Sequence, residues 1–214
     1  MIVIYGTSIS PYVRKALVFA IEKGIAFEPR PGGPRAADPD FARASPFGKI
    51  PALTDGEFGL ADSSAIVTYL EALAPEPNLI PVEPRARART VWFDEFGDTI
   101  AWGCGGKIAF ARLVGPRFMG VQTDLAAADE AQRTEFPKLM DYLESVAPAA
   151  SGYLVEDRFT LADIAVASPL ATLMLGDCRM DANTHPRAHA YVSRIWERPS
   201  FATLMAQEKA MMAA

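Results

Sequence analysis

Several features are scarce in this chain, and each scarcity excludes a class of function. Only two cysteines occur among the 214 residues, and Cys104 and Cys178 fit neither a metal-binding nor a redox spacing. Positive charge is not in excess, because 21 Lys and Arg against 26 Asp and Glu leave a net charge of −5. That balance argues against nucleic acid as the main partner. No apolar run is long enough to cross a membrane.

The amino terminus and the cysteine content together predict a cytoplasmic protein. The stretch from Met1 to Gly6 has no basic leader, and its apolar run is too short for a signal peptide. Two cysteines that are far apart suit a reducing compartment. We therefore expect a cytoplasmic protein whose partners include neither a membrane nor a nucleic acid.

The first part of the chain has the pattern of an α/β domain. Ile2 to Tyr5 predicts a buried strand, and Ser10-Pro11 supplies the N-cap and the first residue of a helix. A second strand is predicted from Ile25 to Arg30, and Pro31 to Pro39 is predicted to be a loop. Asp55-Gly56 between two apolar runs predicts a hairpin, and a further helix follows it.

A cluster of prolines separates this part from a second, helical part. Prolines at 75, 77, 81 and 84 mark the best candidate for a linker. Beyond them the chain has helical patterns and no convincing strand. Thr160 to Asp163 is a capping box that begins one of these helices. The sequence therefore predicts an α/β domain over residues 1–76, a linker over 77–85 and an all-α domain over 86–214.

Five short segments resemble the cytosolic glutathione transferase family, and they occur in that family's order. They are Ser10 to Lys15, Gly48 to Leu53, Asp62 to Ile66, Phe159 to Ile164 and Arg198 to Phe201. The resemblance extends over essentially the whole chain. It implies a thioredoxin-like amino-terminal domain of βαβαββα topology and an all-helical carboxy-terminal domain. It also implies a bacterial detoxification enzyme with a serine-type active site, and a cis peptide bond between Ile50 and Pro51.

The resemblance implies a glutathione-binding site, and the chemistry of that tripeptide suits the residues. The backbone of Ile50, exposed by a cis Pro51, can pair with the cysteinyl backbone of the ligand like an added strand. Asp62 can accept from the γ-glutamyl ammonium, and Ser63 at a helix N-terminus can donate to the carboxylate. Lys49 can also meet a carboxylate. The alternatives are that Asp62-Ser63 only caps a helix and that Lys49 is a solvated surface residue.

The chemistry further requires a group that stabilises the glutathione thiolate. A free thiol with a pKa near 8.5 is only about 3% ionised at pH 7, and lowering the pKa by two units raises that to about 75%. Ser10 matches the catalytic serine of the serine-type classes and would donate a hydrogen bond to the sulfur. The rival donor is Tyr5, where tyrosine-type classes carry theirs. The alternative role of Ser10 is an ordinary N-cap.

The electrophilic substrate is the least patterned part of the prediction. The resemblance implies a small hydrophobic electrophile between the domains, with Tyr12, Trp102 and Phe110 as candidate wall residues. Three glycines at 103, 105 and 106 either leave room for it, kink the helix or allow close packing. We expect a homodimeric glutathione transferase that uses glutathione as co-substrate and no metal. The alternatives are a glutathione-dependent isomerase or dehalogenase of the same fold, or a non-catalytic ligand-binding member.

Overall fold

A computed structural model of the chain describes residues 1–34, 36–148 and 151–213. Two compact units are distinguished within it. The first comprises Met1–Val82 and the chain from Thr203 onward, and the second comprises Glu83–Ala202. The domain boundaries at 76 and 86 stay a prediction.

The first unit is built on a four-stranded mixed sheet. Its strands are β1 (Ile2–Tyr5), β2 (Phe27–Arg30), β3 (Ala52–Asp55) and β4 (Phe58–Ala61). They lie in the order β2-β1-β3-β4, with β1 parallel to β2 and β3 antiparallel to both of its neighbours. All of β1 and most of β3 are buried, so the apolar runs form the centre of the sheet.

Three helices complete the first unit's βαβαββα order, which confirms the predicted fold. They are α1 (Pro11–Glu22), α2 (Pro39–Ala44) and α3 (Ser63–Leu73). Helices α1 and α3 pack against each other. Most of α1 is buried. Its buried residues include Arg14 and Lys15, and the spacing of apolar residues in the sequence did not predict that these two are buried.

Two local predictions for this unit were wrong in detail. Pro39 belongs to α2 and not to the preceding loop, because Asp38 Oδ1 caps the helix by accepting from two backbone N–H groups at 2.9 and 3.2 Å. The hairpin turn lies one residue later than predicted, since Asp55 still pairs with Phe58. Gly56 therefore takes the first turn position with φ of 58°, which glycine adopts without strain.

The proline-rich segment after α3 is fastened to the first unit. Glu71 accepts from the backbone N–H groups of Leu79 and Ile80 at 3.1 and 3.2 Å. Lys23 Nζ donates to Glu71 Oε2 and to the carbonyl of Pro77, both at 2.7 Å. Leu79 and Ile80 are buried as well. The segment is thus an ordered part of the first unit and not a flexible linker.

The second unit is helical, as predicted. Among its described residues the β-structure is limited to an isolated bridge between Val155 and Arg158. Its helices are α4 (Pro84–Glu95), α5 (Trp102–Ala109), α6 (Leu125–Thr134), α7 (Phe136–Val146), α8 (Leu161–Leu175), α9 (Pro186–Trp196) and the first residues of α10 (Pro199–Ala213). Two π-helical segments, Phe96–Ala101 and Phe110–Met119, continue α4 and α5.

The predicted capping box starts α8 in the core of the second unit. The Thr160 N–H donates to Asp163 Oδ2 at 2.9 Å. The other carboxylate oxygen accepts from the Tyr191 hydroxyl at 2.7 Å and from the Leu154 N–H at 3.1 Å. Asp163 therefore has a structural role that joins three parts of the unit. No helix in the described ranges is both long enough and apolar enough to span a bilayer.

Candidate functional site

Three of the predicted site segments meet at one end of the sheet. Tyr5, the last residue of β1, pairs with Ala52, the first residue of β3. Ala52 pairs in turn with Ala61, the last residue of β4. Three segments therefore lie at the same end of the sheet: the loop after β1, the residues before β3 and the residues after β4. These are the segments predicted to hold the catalytic hydroxyl, the cis-proline and the acid-hydroxyl pair.

The loop after β1 passes directly against Ile50. Gly6 has φ of 132°, and a Cβ built on it lies 3.1 Å from the Ile50 Cβ and closer still to the Val13 side chain. A larger residue would need both unusual backbone and space that Val13 and Ile50 already occupy. Gly6 thus allows the loop that leads to Ser10 to lie close to the residue before the cis-proline.

Ser10 is the N-cap residue of α1, but its hydroxyl does not cap the helix. The residue has φ of −68° and ψ of 126°, and its side chain makes no capping hydrogen bond. Its backbone is fixed on both sides, because its N–H donates to the Thr7 carbonyl at 3.0 Å and its carbonyl accepts from the Arg14 N–H at 2.9 Å. The side chain is half-buried. Ser10 therefore lies at the start of α1 as predicted, and its side chain does not act as an ordinary N-cap.

The rival donor, Tyr5, is enclosed by the protein. Its exposure is 0%, and its ring packs on Phe41 with centroids 5.6 Å apart. Its hydroxyl and that of Thr7 are buried without a hydrogen-bond partner among the described residues. An unpaired buried hydroxyl costs roughly 1–3 kcal/mol. This end of the sheet therefore holds polar groups that the described part of the protein does not satisfy.

The peptide bond between Ile50 and Pro51 is cis, as the resemblance implies. Ile50 is half-buried and Pro51 is buried, while Lys49 is exposed. The carbonyl of Lys49 accepts from Ser45 Oγ at 2.7 Å, which fixes the turn that leads into the cis bond. The backbone of Ile50 is thus held in place beside β3.

Asp62 caps α3 from a strained backbone conformation. Its Oδ1 accepts from the N–H groups of Ser64 and Ala65 at 2.9 and 3.0 Å. Its φ of 83° and ψ of 132° lie in a region that few residues other than glycine adopt, at a cost of about 1–3 kcal/mol. Asp62 is exposed, so its carboxylate is accessible to a ligand. Ser63 is only 1% exposed, whereas Ser64 is half-buried.

Two buried cations on α1 were missed by the sequence reasoning. Arg14 and Lys15 are 0% and 1% exposed. Arg14 makes a two-point ion pair with Glu208, from Nε to Oε1 at 3.0 Å and from Nη2 to Oε2 at 2.7 Å. Lys15 Nζ donates to Ser64 Oγ at 3.1 Å. No local sequence pattern predicts that these two side chains are buried, because their partners are 194 and 49 residues away along the chain.

The three candidates for the electrophile pocket lie on separate elements. Tyr12 is in α1 of the first unit, while Trp102 begins α5 and Phe110 begins the π-helical segment that follows it. Tyr12 and Trp102 are half-buried, and Phe110 is 44% exposed. Their assignment to an electrophile site stays a prediction.

The glycines of α5 have different surroundings. A Cβ on Gly105 would lie 3.1 Å from Leu173, so this glycine allows α5 to pack closely on α8. A Cβ on Gly103 would meet open space, and Gly103 borders a cavity of about 520 Å³ in the second unit. The other lining residues are Trp92, Phe96, Ile100, Cys104, Lys107, Glu135, Lys138, Leu139 and Tyr142. Neither Trp102 nor Phe110 lines it.

Both cysteines belong to the second unit, where they are buried. Burial raises the pKa of the Cys104 thiol to about 11 and that of the Cys178 thiol to about 12. Both thiols are therefore protonated at neutral pH and poorly nucleophilic. Within the described ranges, no three His, Cys, Asp or Glu side chains are grouped so that they could hold a metal ion.

The chain matches two family models that follow each other along the sequence. The model of the glutathione S-transferase N-terminal domain matches residues 4–78, and that of the C-terminal domain matches residues 118–208. A glutathione S-transferase from Hyoscyamus muticus is 30% identical over 207 residues, which cover 92% of this chain and 94% of the relative.

Solved structures of similar proteins share the fold. Glutathione transferase F7 from Populus trichocarpa is 25% identical with a TM-score of 0.82, covering 96% of this chain and 98% of its own. Glutathione S-transferase-I bound with lactoylglutathione is 25% identical with a TM-score of 0.83, at the same coverage. The fold thus defines a thioredoxin-like domain combined with a helical one. The chain belongs to the glutathione S-transferase family, and the predicted enzyme class is confirmed at that level.

Proposed function

We propose that this protein is a glutathione transferase in which Ser10 stabilises the glutathione thiolate. The observation that carries the proposal is a half-buried serine, whose hydroxyl does not cap the helix, on the segment that leaves the sheet at the same end as the cis-proline and Asp62. Ser10 donates a hydrogen bond to the sulfur and is not itself the nucleophile. The sulfur attacks an electrophilic carbon, and a C–S bond forms as a leaving group departs or as the adjacent carbon takes up a proton.

The free energy needed to stabilise the glutathione thiolate is within the range that one hydroxyl at the start of a helix supplies. Lowering the thiol pKa by two units requires about 2.7 kcal/mol of preferential stabilisation of the thiolate. A hydrogen bond to a charged group contributes roughly 1.5–3 kcal/mol. The N-terminus of α1 adds about 0.3–1 kcal/mol. The enclosed position of Tyr5 beneath Phe41 supports Ser10 as the donor.

The glutathione backbone and its γ-glutamyl end are assigned to the neighbouring segments. The N–H and C=O of Ile50, before the cis Pro51, pair with the cysteinyl residue of the ligand. Asp62 accepts from the γ-glutamyl ammonium, and the start of α3 at Ser63 receives the carboxylate. Lys49 is exposed and is the candidate partner of the glycine carboxylate. A small hydrophobic electrophile is assigned to the aromatic side chains of Tyr12, Trp102 and Phe110.

We also propose that the protein is a homodimer. Large apolar side chains are exposed on both units, among them Phe47 at 90%, Trp92 at 47% and Ile100 at 48%. Trp92 and Ile100 line the same cavity of the second unit, and apolar side chains grouped on a surface often mark a protein–protein interface. A second copy of the chain covers such side chains without requiring any other protein.

Two measurements test the catalytic proposal. The protein is expected to be retained on immobilised glutathione, and bound glutathione is expected to show thiolate absorbance in the ultraviolet at neutral pH. Ser10→Ala should lose most of that absorbance and lower kcat by about 10²-fold, since it removes a hydrogen bond to the charged sulfur. Glutathione should still bind to the variant, because its backbone and γ-glutamyl contacts are unchanged.

Tyr5→Phe is the matched control, because it too removes a single hydroxyl, at the other end of the loop that joins β1 to α1. It should keep the thiolate signal. The opposite result, with the signal lost in Tyr5→Phe and kept in Ser10→Ala, would show that Tyr5 is the donor. A wild-type protein that lets glutathione pass would refute the glutathione site altogether.

A further inference from the structure

Lys15 places a buried cation between α1 and the first turn of α3. The residue is 1% exposed, and its Nζ donates to Ser64 Oγ over 3.1 Å. Lysine rarely lies inside a protein, because its ammonium loses contact with water there. The fold keeps this lysine directly beside the residues proposed to hold the γ-glutamyl end of glutathione.

Lys15 and Asp62 are connected through one residue. The hydroxyl of Ser64 accepts from Lys15, and the N–H of Ser64 donates to Asp62 Oδ1 at 2.9 Å. The carbonyl of Ser64 is fixed as well, because Thr68 Oγ1 donates to it at 2.8 Å. A buried positive charge on α1 and an exposed negative charge at the N-cap of α3 are therefore both hydrogen-bonded to Ser64 in the first turn of α3.

This order of charges suits the two charges of an amino-acid end. The γ-glutamyl group carries an ammonium and a carboxylate on one carbon. Asp62 attracts the ammonium, and the start of α3 offers backbone N–H groups and the positive end of the helix dipole to the carboxylate. The charge of Lys15 adds to the positive potential at this helix start. Because Lys15 is shielded from water, its field is screened less than that of a surface lysine.

We propose that Lys15 is a positioning residue of this site, whose charge acts through Ser64 and the first turn of α3 to select the ligand's γ-glutamyl carboxylate. The inference rests on the proposed glutathione site and extends it by a residue that does not contact the ligand. Glutathione analogues in which this carboxylate is neutral should gain nothing from Lys15.

A comparison of two ligands tests the charge directly. S-methylglutathione has no thiol, so its affinity does not depend on the catalytic hydroxyl. The second ligand is the same molecule with its γ-glutamyl carboxylate converted to an amide. In Lys15→Met, calorimetry should show about tenfold weaker binding of S-methylglutathione and less than about twofold change for the amide. An equal loss for both ligands, or no loss for either, would overturn the role of Lys15.

Lys23→Met is a matched control at the C-cap of the same helix. Lys23 is 5% exposed and its Nζ lies 2.7 Å from Glu71 Oε2, so this variant also loses a buried lysine contact in the first unit. It should be less stable and bind both ligands like the wild type. If Lys15→Met does not fold, Lys15→Gln removes the charge while keeping a donor, and the same ligand selectivity is expected. A wild type that does not bind S-methylglutathione would instead refute the proposed function.

Discussion

Asp62 has the most unusual backbone conformation at the candidate site, with φ of 83°. The residue is also the N-cap of α3 and the proposed partner of the ligand's ammonium. Strain of this kind persists where the surrounding structure and a functional requirement outweigh it. Glycine would adopt the same conformation without strain, but it has no carboxylate. The N-cap role alone does not require aspartate here, and its presence therefore supports the proposed contact with the ligand's ammonium.

Replacing Asp62 by glycine should separate the two roles. Glycine relieves the strain and costs only a few tenths of a kcal/mol relative to aspartate as an N-cap. The free energy of unfolding should therefore stay within about 1 kcal/mol of the wild type. The KM for glutathione should rise about tenfold with little change in kcat, because a binding contact is lost. Urea unfolding and steady-state kinetics measure the two effects.

The control for this variant is Asp38→Gly. Asp38 caps α2 in the same way, because its Oδ1 accepts from two backbone N–H groups, but its φ of −72° is unstrained and it has no proposed ligand contact. Its replacement should lower stability slightly and leave the KM for glutathione unchanged. A normal KM in Asp62→Gly would remove Asp62 from the binding site.

Helix α1 is the element on which the candidate site depends most. Its first residue follows Ser10, its fourth residue pairs with Glu208 of α10, and its fifth donates to Ser64 of α3. The Arg14–Glu208 pair is buried at 0% and 1% side-chain exposure. Its two hydrogen bonds therefore fix α1 and α10 to each other within the first unit.

Breaking this pair from one side should be costly. Glu208→Ala leaves the Arg14 guanidinium buried beside an empty position, and the free energy of unfolding should fall by about 3–5 kcal/mol. The double variant Arg14→Met, Glu208→Leu removes both charges and should recover most of that loss, because paired apolar residues need no hydration. Chemical unfolding of the two variants and the wild type measures the difference. Equal losses in the single and double variants would contradict this interpretation.

At the scale of the whole molecule, the features that could be predicted are those that depend on residues adjacent in the sequence. Ser10-Pro11 at a helix start, Ile50-Pro51 and the capping box at Thr160 are local patterns, and the structure has the corresponding element at each. The burial of Lys15 could not be predicted in the same way. Its partner is 49 positions away, and the helical period alone does not distinguish a buried lysine from an exposed one.

The proposed homodimer gives a prediction for the assembled protein. Phe47 is 90% exposed and lies three residues before Ile50, so a partner that covers Phe47 would lie beside the proposed glutathione backbone contact. Sedimentation should give about twice the chain mass of 23.2 kDa, and Phe47→Ser should shift the equilibrium towards monomer by about 1.5–3 kcal/mol of lost apolar burial. A wild type that sediments as a monomer at tens of micromolar would exclude the dimer.

The long sequence separation of Arg14 and Glu208 predicts a delay in maturation on the ribosome. Synthesis proceeds at roughly 5–20 residues per second, so Arg14 waits about 10–40 s for a partner that follows 194 residues later. During that interval the nascent thioredoxin-like domain lacks the carboxylate that pairs with Arg14 in the folded protein. We therefore expect α1, which follows Ser10, to reach its final environment only after the whole helical domain has been translated, and a chain truncated before Glu208 to lack this anchor of α1.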